Sequence, residues 1–168
     1  MAFQTTYSRS PDAAFAGQLG DAGDTRIVSL KNDQGADIPA GVIVSRKAEG
    51  TCDLPAGATE LMAGAVVNSF ARNPNDLSGT AAVKDQEQCN VLEEGAIWLL
   101  CEEAMAVLDD VYVRYASGSG GSQLGAIRND ADTSTARQSK GIRVLRATTG
   151  AGPCLCYVSV AADTSVIA

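Results

Sequence analysis

Short apolar runs alternate with polar separators from residue 25 onwards, and this pattern predicts many short β-strands. The separators are rich in Gly, Pro, Asp, Asn and Ser, which favour tight turns. No long segment has the 3.6-residue period of an amphipathic helix, so the pattern is typical of an all-β sandwich or barrel. The predicted strands are residues 26–31, 41–46, 61–70, 96–101, 105–108, 111–116, 123–128, 141–147 and 154–160.

Two of these runs are predicted to be central strands. Residues 96–101 and 154–160 are apolar at almost every position, as expected for strands that are covered on both faces. Trp98 is therefore predicted to be a core residue. Cys154 and Cys156 lie two residues apart and are predicted to point to the same face.

The polar positions around these runs carry further predictions. Residues 111–116 alternate, which places Tyr112 and Arg114 on the outward face of a strand. The polar residues 129–140 are predicted to form a loop. Three pairs of adjacent acids are predicted to occupy solvated turns, at residues 93–94, 102–103 and 109–110.

The first 24 residues have neither a helical nor a strand period, yet they contain Phe3, Tyr7 and Phe15. A fully solvated tail is poor in large apolar side chains because it has nowhere to bury them. We therefore expect residues 1–24 to form a docking arm and residues 25–168 to form a single β domain. Phe3 and Tyr7 are expected at an intersubunit contact, and Phe15 on a sister subunit or on the flank of its own domain.

The net charge of −7 argues against a nucleic-acid partner, because phosphate backbones attract clustered Lys and Arg. No apolar run approaches the length of about 18 residues that a membrane span needs, and the N-terminus does not resemble a secretion signal. Four cations nevertheless fall close together, at Arg137, Lys140, Arg143 and Arg146. They form either an ordinary solvated face or an electrostatic contact for another protein.

The chain contains no histidine, which removes Ser-His-Asp and Cys-His catalysis and the commonest zinc and iron sites. Its five cysteines lack CxxC spacing and are predicted to be buried free thiols. The Gly-rich residues 117–122 match no phosphate-binding loop, and residues 130–141 fail the EF-hand pattern at its sixth and twelfth positions. No catalytic residue, metal ligand or cofactor site is predicted.

Several segments resemble structural cement proteins of tailed bacteriophages. They are residues 2–7, Pro11, residues 15–21, residues 110–114 and residues 124–130. The resemblance implies a compact β protein, in some members jelly-roll-like, that binds the outside of an assembled head and bridges major capsid protein subunits. It also implies a virion protein that assembles in the host cytoplasm as a homo-oligomer, with a dimer favoured over a trimer, and that has no catalytic residues.

Two other classes of function stay open from the sequence. A carbohydrate- or receptor-binding β-sandwich of a virion needs two or three exposed coplanar aromatic rings, and Tyr112 is the clearest outward candidate. An enzyme without histidine would depend on paired carboxylates, and no spacing in the chain forces such a pair into one cleft.

Overall fold

The computed structural model describes residues 15–20, 23–68, 82–116 and 122–163, and in these ranges its regular structure is β except for one short 3-10 helix. The all-β prediction is confirmed. The finer expectation of a β-sandwich or jelly roll stays a prediction. The elements are β1 (Arg26–Asn32), β2 (Ile38–Pro39), β3 (Ile43–Ala48), β4 (Thr51–Asp53), β5 (Met62–Val66), β6 (Ala82–Val83), β7 (Gln88–Cys101), β8 (Val111–Arg114), β9 (Ile127–Arg128), β10 (Ala136–Ser139), β11 (Ile142–Val144), β12 (Gly152–Ser159) and the 3-10 helix Val160–Ala162.

Five strands close into a small barrel. Strand β1 pairs in parallel with β4, and the circuit continues through antiparallel β3, β5 and β7 back to β1. Each strand contributes apolar side chains to one buried cluster, which includes Leu30, Val44, Cys52, Ala63 and Val91. This first core fills the inside of the barrel.

The long strand β7 leaves the barrel and continues into a second layer. Its residues from Glu94 to Cys101 pair with β12, and β11 pairs with the other edge of β12. Strand β8 pairs with β10 on one edge and with β9 on the other, and β9 joins the end of β7. The second core contains side chains from β3, β5, β7, β8, β9, β11 and β12, and Ile97 and Leu99 of β7 lie fully buried within it. Both cores therefore share β7.

The positions of the two strands and the burial of the cysteines agree with their predictions, but the strands are not fully covered on both faces, since Trp98, Leu155 and Tyr157 are only half-buried. Residues 96–101 fall within β7, and β12 covers residues 154–159 of the predicted second strand. All five cysteines are free and buried, and the Sγ atoms of Cys154 and Cys156 lie 3.7 Å apart on one face of β12. A hydrogen bond with Cys101 lowers the pKa of Cys154, but the hydrogen bond with Cys156 and burial outweigh it and raise that pKa to about 12. The thiols thus behave as small buried hydrophobes.

Other local predictions are wrong. Residues 105–108 form a turn instead of a strand. Only Met105 of this apolar run is buried in the core, and Val107 and Leu108 are exposed. Residues 129–140 are not wholly a loop, since Ala136–Ser139 pairs with β8 as β10. The acids at 93–94 lie within β7 and not in a turn, and there Glu93 forms ion pairs with Arg26 and Arg46. The predicted strand 123–128 is reduced to β9.

Candidate interaction surface

The outer side of the β7–β12–β11 sheet presents the most distinctive exposed surface in the described part of the chain. Because side chains alternate along a strand, burial of Ile97 and Cys156 turns their neighbours outward. Cross-strand register pairs Leu155 with Trp98 and Arg143 with Tyr157. We call the outward residues Trp98, Arg143, Arg146, Leu155 and Tyr157 the aromatic–arginine face.

Two arginines lie over the aromatic rings of this face. The guanidinium carbon of Arg143 is 5.0 Å from the centroid of the Tyr157 ring, and that of Arg146 is 6.0 Å from the Trp98 ring. Such cation–π contacts hold each guanidinium in place while its N–H donors stay able to bind carboxylates or carbonyl groups. Both arginines are exposed, and both rings are half-buried. The prediction that Trp98 is a core residue is therefore only half correct.

The Tyr157 hydroxyl extends the polar contacts of this face. It donates a hydrogen bond of 3.1 Å to Oε1 of Glu94, and this bond raises the pKa of Tyr157 above its ordinary value. Glu94 also lines an open cavity of about 350 Å³ together with the backbone turn that contains Asp24. The face is thus basic where Arg143 and Arg146 lie over the rings, and acidic at the edge where Glu94 lies.

The four predicted cations do not share one exposed surface. Lys140, Arg143 and Arg146 are exposed, whereas Arg137 on β10 is only 7% exposed. Its guanidinium lies 3.4 Å from a carboxylate oxygen of Asp163, which follows the 3-10 helix. Arg137 therefore does not share the exposed surface of the other three cations, because its side chain fastens the C-terminal turn to the domain.

Part of the expected arm lies against the domain. Gly17 donates a 2.7 Å hydrogen bond to the carbonyl of Trp98, and Trp98 donates a 2.9 Å bond to the carbonyl of Gln18. Residues 15–20 thereby line the edge of β7 that β12 leaves open, and Leu19 packs on the second core. Phe15 at the start of this segment is 50% exposed. Phe3 and Tyr7 lie outside the described residues.

Gly17 is required for this close approach. Its φ of +82° is in the left-handed region, which side chains other than hydrogen disfavour. A Cβ atom there would lie 2.8 Å from the backbone nitrogen of Asn68 and 2.9 Å from that of Gly41. The segment can therefore cross the domain only with glycine at this position.

The sequence pattern does not predict a buried ion network that lies near the end of β7. The alternation of residues 111–116 predicts that Arg114 faces outward, but its side chain is 2% exposed and bonds both carboxylate oxygens of Glu102. The same guanidinium lies 2.7 Å from Asp132, and Arg128 lies 2.9 Å from Glu102. Hydrogen bonds from Arg114 and Thr135 lower the pKa of Asp132. The network ties the loop around Asp132 to the strand ends, so its role is structural.

Neither a metal site nor a sugar platform emerges from the described residues. Within them, no group of three or more His, Cys, Asp or Glu side chains could hold a metal ion. No helix in the described ranges is long and apolar enough to cross a membrane. The Trp98 and Tyr157 rings share a face, but arginines lie over both of them. Tyr112, the outward candidate for sugar stacking, is half-buried on β8.

Comparison with known proteins adds a family and a fold. A family model described as structural cement protein (E217 gp24/Pam3 gp6) matches residues 3–164. A chain from "The capsid of Myoviridae Phage XM1" is 18% identical with a TM-score of 0.69, covering 95% of this chain and 98% of that one. A chain from "The crystal structure of head fiber gp8.5 N base in bacteriophage phi29" is 11% identical with a TM-score of 0.48, covering 80% and 96%. No curated protein sequence matches significantly. At 18% identity, the first likeness shows a shared fold.

Proposed function

Because this chain belongs to the structural cement protein family, we propose that it binds the outer surface of a phage head and bridges neighbouring major capsid protein subunits. The observation that carries the proposal is the extent of the family match, since residues 3–164 include the twelve strands of the described residues and both cores. The matching fold in the capsid of Myoviridae Phage XM1 supports a place in the virion. The protein is made in the host cytoplasm and joins the shell there.

The aromatic–arginine face is the proposed contact with the shell. Trp, Tyr and Arg are the residue types that most often dominate binding energy at protein interfaces. Arg143 and Arg146 are already held over rings, so little side-chain freedom remains to be lost on binding. With Lys140 they form a basic region on a chain of net charge −7, which favours a partner surface rich in carboxylates.

A homo-oligomer, with a dimer favoured, is the second part of the proposal. In it Phe3 and Tyr7 contact a sister subunit, while Phe15 extends from the segment that lies along β7 towards the same contact. A dimer with two capsid-binding faces gains from multivalency, because its second face binds at a high effective concentration after the first has bound. Bridging of neighbouring capsid subunits follows from such two-point attachment.

The test uses purified heads that lack this protein. Wild-type protein is expected to co-sediment with them at a fixed stoichiometry and to raise the temperature at which they release DNA. The double variant Arg143→Glu/Arg146→Glu is expected to bind about ten-fold more weakly or worse, because it reverses two charges of the face. Lys31→Glu/Lys47→Glu, two exposed lysines on the barrel, makes the same change in net charge and is expected to bind normally.

Two results would contradict the proposal. Wild-type protein that fails to bind the heads excludes the cement role for this chain. Heads that are equally heat-resistant with and without bound protein exclude stabilisation, even where binding occurs. Equal binding by the face variant and the lysine control would remove the aromatic–arginine face from the proposal and leave the cement role in place.

A further inference from the structure

The turn that follows β7 carries two exposed apolar side chains with acids beside them. Val107 is 50% exposed and Leu108 is 96% exposed, so Leu108 has the most exposed large apolar side chain among the described residues. Asp109 and Asp110 come next in the chain, and Asp110 is exposed. We call residues 105–110 the Leu108 turn. It presents an apolar tip with negative charge at its base.

Hydrogen bonds fix the Leu108 turn at its base. Met105 is buried, its backbone N–H donates to the Thr148 hydroxyl at 3.2 Å, and its carbonyl accepts from Thr148 N–H at 2.9 Å. Across the turn, the Ala106 N–H donates to Asp109 Oδ2 at 2.7 Å, and the Asp109 N–H donates to the Ala106 carbonyl at 3.2 Å. The tip is therefore preorganised, and binding would not have to order it.

One end of the aromatic–arginine face combines apolar surface with positive charge. Trp98 and Leu155 are half-buried there and lie opposite each other in the sheet. Leu145 is 40% exposed, and its N–H donates a 2.8 Å hydrogen bond to the Leu155 carbonyl. The next residue, Arg146, has its guanidinium carbon 6.0 Å from the centroid of the Trp98 ring. We call Trp98, Leu155 and Arg146, together with Leu145, the Trp98 end of the face.

The Leu108 turn and the Trp98 end are complementary, and they adjoin on the molecule. The apolar tip fits against aromatic and aliphatic side chains, and the carboxylates beside it fit the N–H donors of Arg146. Thr148, which bonds to Met105 of the turn, lies two residues from Arg146. A two-fold axis between the two surfaces would place each turn against the other copy's Trp98 end, so that one symmetric contact uses both surfaces of both copies.

Building on the homo-oligomer of the proposed function, we propose that two copies of this chain form a closed dimer in which each Leu108 turn packs on the Trp98 end of the other copy. The contact is apolar at its centre, with pairs of carboxylate and guanidinium groups at its edge. Arg143, which lies over Tyr157, and Lys140 are at the other end of the face and stay exposed for the shell. Each dimer thus keeps two capsid-binding regions.

A second copy is the occupant that the surfaces of this chain favour. The turn needs apolar surface with a cation beside it, and the Trp98 end supplies both next to the turn, where two-fold symmetry requires them. The net charge of −7 makes two copies repel each other at long range, but salt screens exposed charges beyond about 8 Å. Asp110 and Arg146 would meet at much shorter range, where their attraction also fixes the register of the contact.

Sedimentation equilibrium of the full-length chain, without phage heads, tests the dimer. Wild type is expected to have the mass of two chains. Leu108→Asp is expected to weaken self-association more than ten-fold, because it places a charge in each apolar contact. Arg146→Glu is expected to do the same, because it faces the acids of the turn with another acid. Leu61→Asp, at a leucine that is 56% exposed, and Lys31→Glu, at an exposed lysine, are the matched controls and are expected to associate as wild type.

A mixture of the two defective variants tests the pairing itself. Leu108→Asp keeps its Trp98 end, and Arg146→Glu keeps its Leu108 turn. A mixed dimer therefore has one intact contact, whereas a dimer of either variant alone has none. We expect the mixture to self-associate at least several-fold more strongly than either variant alone. Far-ultraviolet circular dichroism spectra equal to that of wild type confirm that the variants are folded.

The outcomes separate this dimer from the cement function. Wild type that stays monomeric at concentrations that saturate phage heads overturns the dimer, while its binding to the heads leaves the cement function standing. Unchanged association of Leu108→Asp overturns the contact made by the turn. A mixture no stronger than its components overturns the pairing of turn with face, and masses above two chains overturn the closed two-fold arrangement. If Leu108→Asp binds heads more weakly with its dimer intact, the turn contacts the shell and the proposal is wrong.

Discussion

Arginine occupies three different environments in this protein. Arg114 is buried in an ion network, Arg137 is buried beside Asp163, and Arg143 is exposed over an aromatic ring. The first two fasten loops to the domain, because a buried guanidinium is tolerated only with carboxylate partners. The third has its N–H donors available to a partner molecule. One residue type therefore serves both stability and recognition, and burial decides which.

The ion network predicts a dependence of stability on pH. The folded-state pKa of Asp132 lies below its ordinary value of 3.8, because Arg114 and Thr135 bond to the charged carboxylate. The contribution of the Asp132 carboxylate to the free energy of unfolding is therefore fully present at pH above 3.8. It is lost as the pH falls through the lowered folded-state pKa. Asp132→Asn is expected to unfold at lower urea concentration than wild type near neutral pH and to approach wild type once the pH falls below the lowered folded-state pKa.

The comparison of each variant with wild type cancels the titration of the other carboxylates. Asp110→Asn, which removes an exposed carboxylate outside the network, serves as the control and is expected to match wild type at both pH values. A constant difference between wild type and Asp132→Asn from neutral to acid pH would contradict the assignment of this ion pair.

At the scale of elements, strand β7 organises the molecule. Its first half pairs with β1 and β5 in the barrel, and its second half lies between β12 and residues 15–20. Strand β7 consequently contributes to both cores, with Cys89 and Val91 in the first and Leu92, Ile97 and Leu99 in the second. The segment 15–20 depends on β7 for its conformation, since its backbone donors and acceptors bond to Ala96 and Trp98.

Substitution of Gly17 tests the docking of this segment. Gly17→Ala is expected to lower the free energy of unfolding by about 3 kcal/mol, because the new Cβ meets backbone atoms in addition to an unfavourable φ. Gly35→Ala is the matched control, since its φ is +76° but no atom lies within 4 Å of the added Cβ. The free energy of unfolding of Gly35→Ala is expected to fall by about 1 kcal/mol, from the unfavourable backbone conformation alone. Amide hydrogen exchange at Trp98 should increase only in Gly17→Ala. Equal losses of unfolding free energy in Gly17→Ala and Gly35→Ala would contradict the close approach of Gly17 to the backbone of the domain.

The sequence predicts strands better than it predicts their connections. The central parts of β7 and β12 are evident as strands because each is a continuous apolar run. The same runs predict cover on both faces, whereas Trp98, Leu155 and Tyr157 on the outer face are only half-buried. Strand β4 has three residues, too few to show a period, and its parallel pairing with β1 closes the barrel between distant parts of the chain. The apolar run at 105–108 resembles a strand in composition, and only its exposed position identifies it as a turn.

The candidate surface was only partly predictable for the same reason. Positions 143 and 146 are evident as cations, but their stacking partners lie on other strands and depend on register. Arg137 looks the same in the sequence as its neighbours, and its burial beside Asp163 depends on how the C-terminal turn folds back. Pairings between distant segments carry no local signal.

At the scale of the whole molecule, two hydrophobic cores share strands β3, β5 and β7. The barrel core includes Leu30 on β1, and the second core includes Ile97 on β7. Because β7 passes through both, loss of one core removes part of the support of the other. We therefore expect the protein to unfold in one cooperative transition, as single domains of this size commonly do.

Truncation of one residue in each core tests this coupling. Leu30→Ala and Ile97→Ala are each expected to lower the free energy of unfolding by about 3 kcal/mol and to shift the same single transition. Calorimetry and near-ultraviolet circular dichroism, which follows Trp98, should report coincident midpoints. Two separate transitions, only one of which moves in each variant, would show that the cores unfold independently.

The double pairing of β7 also has a mechanical consequence. Its 14 residues extend for about 47 Å, and interstrand hydrogen bonds lie across the strand axis. A pull along that axis loads the bonds of both edges simultaneously, whereas a pull across it opens them one after another. A protein fixed at the two ends of β7 would therefore resist stretching most strongly in the direction in which its longest strand runs. If the proposed contacts with a phage head lie at those two ends, swelling of the shell would pull along the stiffest axis of the molecule.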